Sequence, residues 1–160
     1  YDCGFTRDKN WFRYRAAAII IEDDCVLFVG NSNEDYYYSV GGGVHMGETA
    51  EEAVLREVYE ETGLKLNSVR ICGIKDWYDK KEKERQLIIL FTSDDYSGDI
   101  IPETSEGKVY WMEETELKKT KLADDFDRLL EVFEEEQINE MVYEDNENKD
   151  EKLRWDLKLY

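Results

Sequence analysis

The sequence predicts an α/β fold built on a mixed β-sheet, and three observations predict it. β-rich runs recur along the chain, one helix among them is bracketed by end signals on both sides, and strands and helices intermix without a long repeat. With 160 residues, 41% of them apolar, the chain has material for one ordinary core. The expectation is one domain over residues 1–143, then an acidic linker and tail over residues 144–160.

Phe12 to Ile21 and Val26 to Val29 are β-rich runs separated by Glu22, Asp23, Asp24 and Cys25, which reads as a hairpin. A third short strand is expected through Tyr36 to Val40, ending at Gly41, Gly42 and Gly43, where the chain is free to take dihedrals closed to other residues. Thr49 followed by Glu52 has capping-box spacing and Gly63 sits where a helix C-cap belongs, so a helix is expected over Ala50 to Thr62.

Further strands are expected at Val69 to Trp77, Gln86 to Thr92 and Lys108 to Met112. The polar stretches between them, Asp79 to Arg85 and Ser93 to Gly107, read as loops, the second holding Pro102. Leu122 to Gln137 places Phe126, Leu129, Leu130 and Phe133 at helical spacing and is expected to be a second packed helix. Tyr143 to Glu151 reads as an acidic linker. After it, Leu153, Trp155, Leu157 and Leu159 alternate as a short strand, fit to extend a sheet edge in this chain or in a second copy as a homodimer.

The net charge of −18, from 39 acidic against 21 basic residues, excludes a long nucleic-acid polymer or an anionic membrane as a surface-wide partner. A small anionic substrate is still admitted, because bound divalent cations reverse the sign locally. Cys3, Cys25 and Cys72 form no C-x-x-C pair and read as reduced thiols rather than a disulfide framework or zinc site. The longest apolar stretch, Ala16 to Ile21, is too short to span a bilayer, and the expected setting is cytoplasmic.

The chemistry concentrates between Gly42 and Leu64. Glu57, Glu60 and Glu61 are spaced i, i+3 and i+4, so one helix face carries three carboxylates, while Val54, Leu55 and Val58 occupy the adjoining face. Like charges at this spacing repel by roughly 0.2 to 0.5 kcal/mol per pair, a cost that a cation between them removes. Hard oxygen ligands suit Mg²⁺, with Mn²⁺ as the alternative, and either ion suits phosphate oxygens. The glycines let the backbone approach a metal or phosphate closely, and Arg56 is placed to pair with Glu48 or with one of the ligands. Other acidic runs, such as Glu134 to Glu136, read as solvated faces.

The whole pattern runs Gly42, five residues, Glu48, seven residues, then Arg56, Glu57, Val58, Tyr59, Glu60, Glu61, Thr62, Gly63 and Leu64. It resembles the Nudix box with no mismatch at a defining position. Val40 stands where that family often has proline, and His45 with Met46 replaces a frequent Glu-Pro. The resemblance implies an α/β/α sandwich over approximately Phe12 to Gln137. It also implies Mg²⁺-dependent hydrolysis of a nucleoside diphosphate bond by a metal-activated water.

Carried over by position, the resemblance makes Glu57, Glu60 and Glu61 metal ligands, adds the Gly42 carbonyl, and points to Glu106 as a further acid from a later loop. Either Glu60 or Glu106 takes the proton. His45, the single histidine, reads as an exposed structural residue in the loop. Arg13 and Arg15 share one strand face and are candidates to grip phosphate, with Tyr38, Trp77 and Tyr78 as aromatic candidates for a base. The downstream proline of ADP-ribose hydrolases and the proline-rich tract of NADH-cleaving members are missing. The substrate expected is therefore a small nucleotide, first a nucleoside triphosphate such as an oxidised purine of the 8-oxo-dGTP type. A dinucleoside polyphosphate comes second, and a non-catalytic nucleotide-binding module third.

Overall fold

The structure is a computed structural model that describes residues 2–31, 36–117, 132, 137–145 and 155–160. The chain opens with β1 (Gly4–Arg7), β2 (Asn10–Glu22), β3 (Cys25–Asn31), β4 (Tyr36–Tyr38) and β5 (Val40–Gly43), followed by α1 (Ala50–Thr62). Next come β6 (Lys65–Asp79), β7 (Glu84–Ser97), β8 (Glu103–Thr104), β9 (Gly107–Glu113), the single turn α2 (Glu114–Leu117), β10 (Glu140–Asp145) and β11 (Trp155–Leu159). The main path through the sheet runs β11-β10-β6-β7-β2-β3-β9-β8. β2 with β7 and β6 with β10 are parallel and the other pairs antiparallel, so the expected α/β class with a mixed sheet is the one observed.

Period-two alternation along β2 builds the layers. Ala16, Ala18 and Ile20 join Val54 and Val58 of α1 in one apolar cluster, while Ala17 and Ile19 join Phe28, Leu90, Val132 and Tyr143 in another. The sheet is thus the middle of a sandwich. Its first cover is α1; Val132, helical and buried, belongs to the second. Apart from Val132 and Gln137, the helix expected over Leu122 to Gln137 lies outside the described residues.

Several boundaries differ from the sequence expectation for identifiable reasons. Asp8 and Lys9, at φ 51 and 65, close a two-residue hairpin between β1 and β2, and Asp23 with Asp24, at φ 49 and 61, closes the next. Both are left-handed turns of the kind that match strand twist, made here without glycine, which hides β1 from a reading based on Asn-Gly or Asp-Gly. The expected tyrosine strand is two strands, because the chain changes partner at Ser39: β4 pairs with β3, whereas β5, glycines included, pairs with β2.

The expected loop over Ser93 to Gly107 begins as the end of β7 and contains β8, and the loop over Asp79 to Arg85 shrinks to residues 80–83. At the C-terminal end, Tyr143 to Asp145 are strand rather than linker. Tyr143 lies opposite Trp77 of β6 and is buried. β11 does extend a sheet edge, and it does so within this chain, along β10.

Candidate active site

The site grows from both ends of α1. Thr49 accepts from the Glu52 amide at 3.1 Å while Glu52 accepts from the Thr49 amide at 2.7 Å, which completes the capping box. Gly63, at φ 79, closes the helix with its amide on the Tyr59 carbonyl. With both ends fixed, Ala53, Val54 and Val58 are buried and the acids fall along the edge facing β5.

Glycine at position 42 decides how close that edge comes, since a Cβ there would overlap the Glu57 carboxylate. Glu61 is buried and accepts from the Gly41 amide at 3.3 Å. Burial, and after it the neighbouring Glu57, pushes the Glu61 carboxyl up to about 8. Glu106, at the exposed turn before β9, adds to the same negative field, so the sheet brings it toward Glu61 although 45 positions separate them (61 to 106). Glu60 stands further out, its side chain 56% exposed.

Arg56 organises the acids. Its Nη2 donates to Glu48 Oε1 at 2.7 Å and to the Gly43 carbonyl at 3.0 Å, and its Nε donates to Glu48 Oε2 at 3.2 Å. Its Nη1 donates to Glu57 at 2.6 Å and to Glu60 at 3.2 Å. The guanidinium therefore pairs with both Glu48 and two of the proposed ligands. Its hydrogen bonds hold the Glu48 carboxyl down at about 2.

The donor set fits a divalent cation: carboxylates gathered at a strand without side chains, one of them buried without a countercharge sufficient to keep it ionised. Among the described residues no three of these acids converge on one point, because Arg56 draws Glu57 and Glu60 to itself. Glu57 meets the guanidinium through Oε1 and Glu60 through Oε2, so each has a second carboxylate oxygen with which to hold a metal.

β2 carries the other candidates. Opposite residues share a face, so the register puts Arg13, Gln86, Trp77 and Tyr143 in one row across four strands, with Arg15, Ile88 and Lys75 in the next. Arg15 donates to Gln86 Oε1 at 3.1 Å, and its Nε is buried with no hydrogen-bond partner among the described residues. Burial, then Arg13, lowers its pKa, while Glu61 and Glu57 oppose the shift. Arg13 lies 3.7 Å from Glu84.

The aromatic candidates divide. Trp77 packs against the second core cluster, Tyr78 is exposed, and Tyr38 is placed by its backbone opposite Val29 on the neighbouring β3. His45 is half-exposed and lies 3.3 Å from Asp2, an attachment the sequence did not suggest. Trp11 was missed too, although Trp11, Arg13 and Arg15 alternate on one strand face. It lies outside the strand expected from Phe12, because β2 begins two residues earlier, at Asn10.

Comparison with known proteins adds an independent line. A family model described as the NUDIX domain matches residues 11–133. The uncharacterized Nudix hydrolase YvcI of Bacillus subtilis (strain 168) is 25% identical over 108 residues, covering 66% of this chain and 68% of that protein. Diphosphoinositol polyphosphate phosphohydrolase 2 of Rattus norvegicus is 35% identical over 91 residues, 54% of this chain and 51% of that one, so the match spans about half of that relative. The crystal structure of a MutT protein from Bacillus halodurans superposes with a TM-score of 0.75 at 19% identity, over 92% of this chain and 97% of the other, and carries the likeness of fold.

Proposed function

The chain belongs to the Nudix hydrolase family, and on that premise we propose that it is a Mg²⁺-dependent pyrophosphohydrolase of nucleoside triphosphates, releasing the monophosphate and pyrophosphate. An oxidised purine nucleotide of the 8-oxo-dGTP type is the substrate proposed first. One observation carries the reading: Glu57 and Glu61 are delivered to the bare backbone of Gly41 and Gly42, with Glu61 buried against an amide.

Glu57, Glu60, Glu61 and the Gly42 carbonyl would hold the metal, with Glu106 alongside. When bound, the ion supplies Lewis acidity toward phosphate oxygens and a water acidic enough to attack. The chain's own residues do the rest. Glu48 fixes Arg56, and Arg56 sets the direction of Glu57 and Glu60. Glu60, exposed at the rim, or Glu106 receives the proton at a carboxylate oxygen. Arg15, whose Nε has no hydrogen-bond partner among the described residues, faces the substrate phosphates, with Arg13 two residues further along β2. The three free thiols fit a reducing cytosol, and no described helix is long and apolar enough to cross a membrane.

The test is a turnover panel with Mg²⁺: 8-oxo-dGTP, dGTP, a dinucleoside tetraphosphate and a diphosphoinositol polyphosphate, with phosphate and pyrophosphate release measured separately. Pyrophosphate from the triphosphates is expected, abolished by Glu61→Gln. Turnover confined to another member of the panel would overturn the substrate, and an active Glu61→Gln would overturn the site.

A further inference from the structure

We propose that the cavity beside the β1–β2 hairpin receives the nucleobase of the substrate, with the Trp11 indole as its stacking platform. The proposal rests on the nucleotide hydrolase reading above and adds where the base is held. The cavity, of about 280 Å³, is lined by residues of that hairpin, among them Asp2, Gly4, Thr6, Trp11 and Arg13. Such a volume is near the lower end for small-molecule sites.

Its position is fixed by the same segment that touches the Nudix box. The Cys3 amide donates to the Val44 carbonyl, Asp2 bridges to His45, and the Asp2 carboxylate occupies the space a side chain at Gly43 would fill. Gly43 lies opposite Arg15, and Arg13 is two residues further along β2, about 7 Å. A nucleotide whose phosphates meet Arg15 and the acids of α1 therefore has its base directed along β2 toward the hairpin.

The chemistry of the lining suits a base better than a phosphate. Trp11 is 45% exposed, and the Arg13 guanidinium lies 4.7 Å from its ring centroid, which preforms a cation–π pair for a third flat group to join. Gly4 lies opposite Arg13, where a Cβ would meet the Phe12 carbonyl, and Thr6 lies opposite Trp11. Asp2 supplies an acceptor, Arg13 a donor and Thr6 a hydroxyl for the edge of a base. A phosphate would meet the carboxylates of Asp2 and Glu84 instead. Trp77, the tryptophan favoured by sequence, packs on the core and has less surface to offer.

The experiment uses the intact chain with Mg²⁺ and two probes in titration calorimetry: an α,β-imido analogue of dGTP, and inorganic tripolyphosphate, which has no base. Trp11→Ala is expected to weaken the analogue roughly 5- to 100-fold while leaving tripolyphosphate unchanged, and Trp11→Phe to keep most of the affinity. Absence of analogue binding by the wild type, wild-type affinity in Trp11→Ala, or equal loss of both probes overturns the subsite. Selective loss with no nucleotide hydrolysed upholds the subsite and overturns the hydrolase reading. Hydrolysis with KM unchanged in Trp11→Ala does the reverse.

Discussion

Gly42 and Glu57 occupy each other's space: the carboxylate of one stands where the side chain of the other would be. Replacing Gly42 by alanine must therefore push Glu57 off β5 while the fold, set by the apolar clusters, persists. Gly42→Ala is expected to raise the Mg²⁺ concentration for half-maximal activity roughly 10- to 100-fold, by analogy with other losses of ligand orientation. Activity titrated against Mg²⁺, with thermal melting as the fold control, checks this.

Glu61 makes stability depend on pH in a defined direction. Its carboxyl, ordinarily near 4.5, is raised to about 8, so the folded state keeps a proton that the unfolded state has given up between those values. The unfolded state then binds fewer protons, and this group's contribution falls by about 1.4 kcal/mol per pH unit as pH rises from 4.5 toward 8. In the absence of metal, calorimetry should show this slope in the wild type and not in Glu61→Gln. Mg²⁺, which needs the ionised form, should stabilise the wild type more at pH 8 than at pH 6. Equal stabilisation at both pH values would contradict the assignment.

Arg56→Lys tests the fork. Lysine is a point charge and cannot serve Glu48, Glu57, Glu60 and the Gly43 carbonyl together. A loss of about 2 kcal/mol in urea unfolding is expected, with a drop in kcat from misdirected carboxylates. Glu48, held at about 2, contributes stability above pH 4.5 that is lost as pH falls through 2, and Arg56→Lys should narrow that acid window.

How much of this was legible in the sequence varied with the kind of signal. The box, α1 and its caps follow from local chemistry: Thr49, Glu52 and Gly63 act on backbone groups within four residues of themselves. β1 and β10 do not announce themselves locally. β1 is exposed at every position and turns through Asp8 and Lys9, and β10 is acidic at Glu140, Glu144 and Asp145. β10 is a strand because β6, distant in sequence, accepts it, and β1 because the turn at Asp8 and Lys9 lays it along β2. Trp11 and Asp2 were missed for the same reason, since their importance comes from what β1 and the His45 loop place beside them.

Removing residues 155–160 tests the C-terminal edge. β11 pairs with β10 over five positions, and the Tyr160 backbone bonds to Asn139 and Glu140. Truncation leaves the β10 edge open, and a lower melting temperature with greater aggregation is expected, while kcat with Mg²⁺ changes little because the acids of α1 lie across the sheet. Unchanged melting would mean that β11 is dispensable.

The alternation along β2 separates two jobs that many sites entangle. Even positions from Ala16 to Ile20 seat the helix that carries the acids, while Trp11 and Arg13 lie on the other face with part of their surface exposed. Preference for one nucleotide over another can then drift by changes at the outward positions without disturbing the groups that break the bond. In a laboratory search for altered selectivity, libraries at positions 11 and 13 should yield folded, metal-competent variants far more often than libraries at positions 16, 18 and 20.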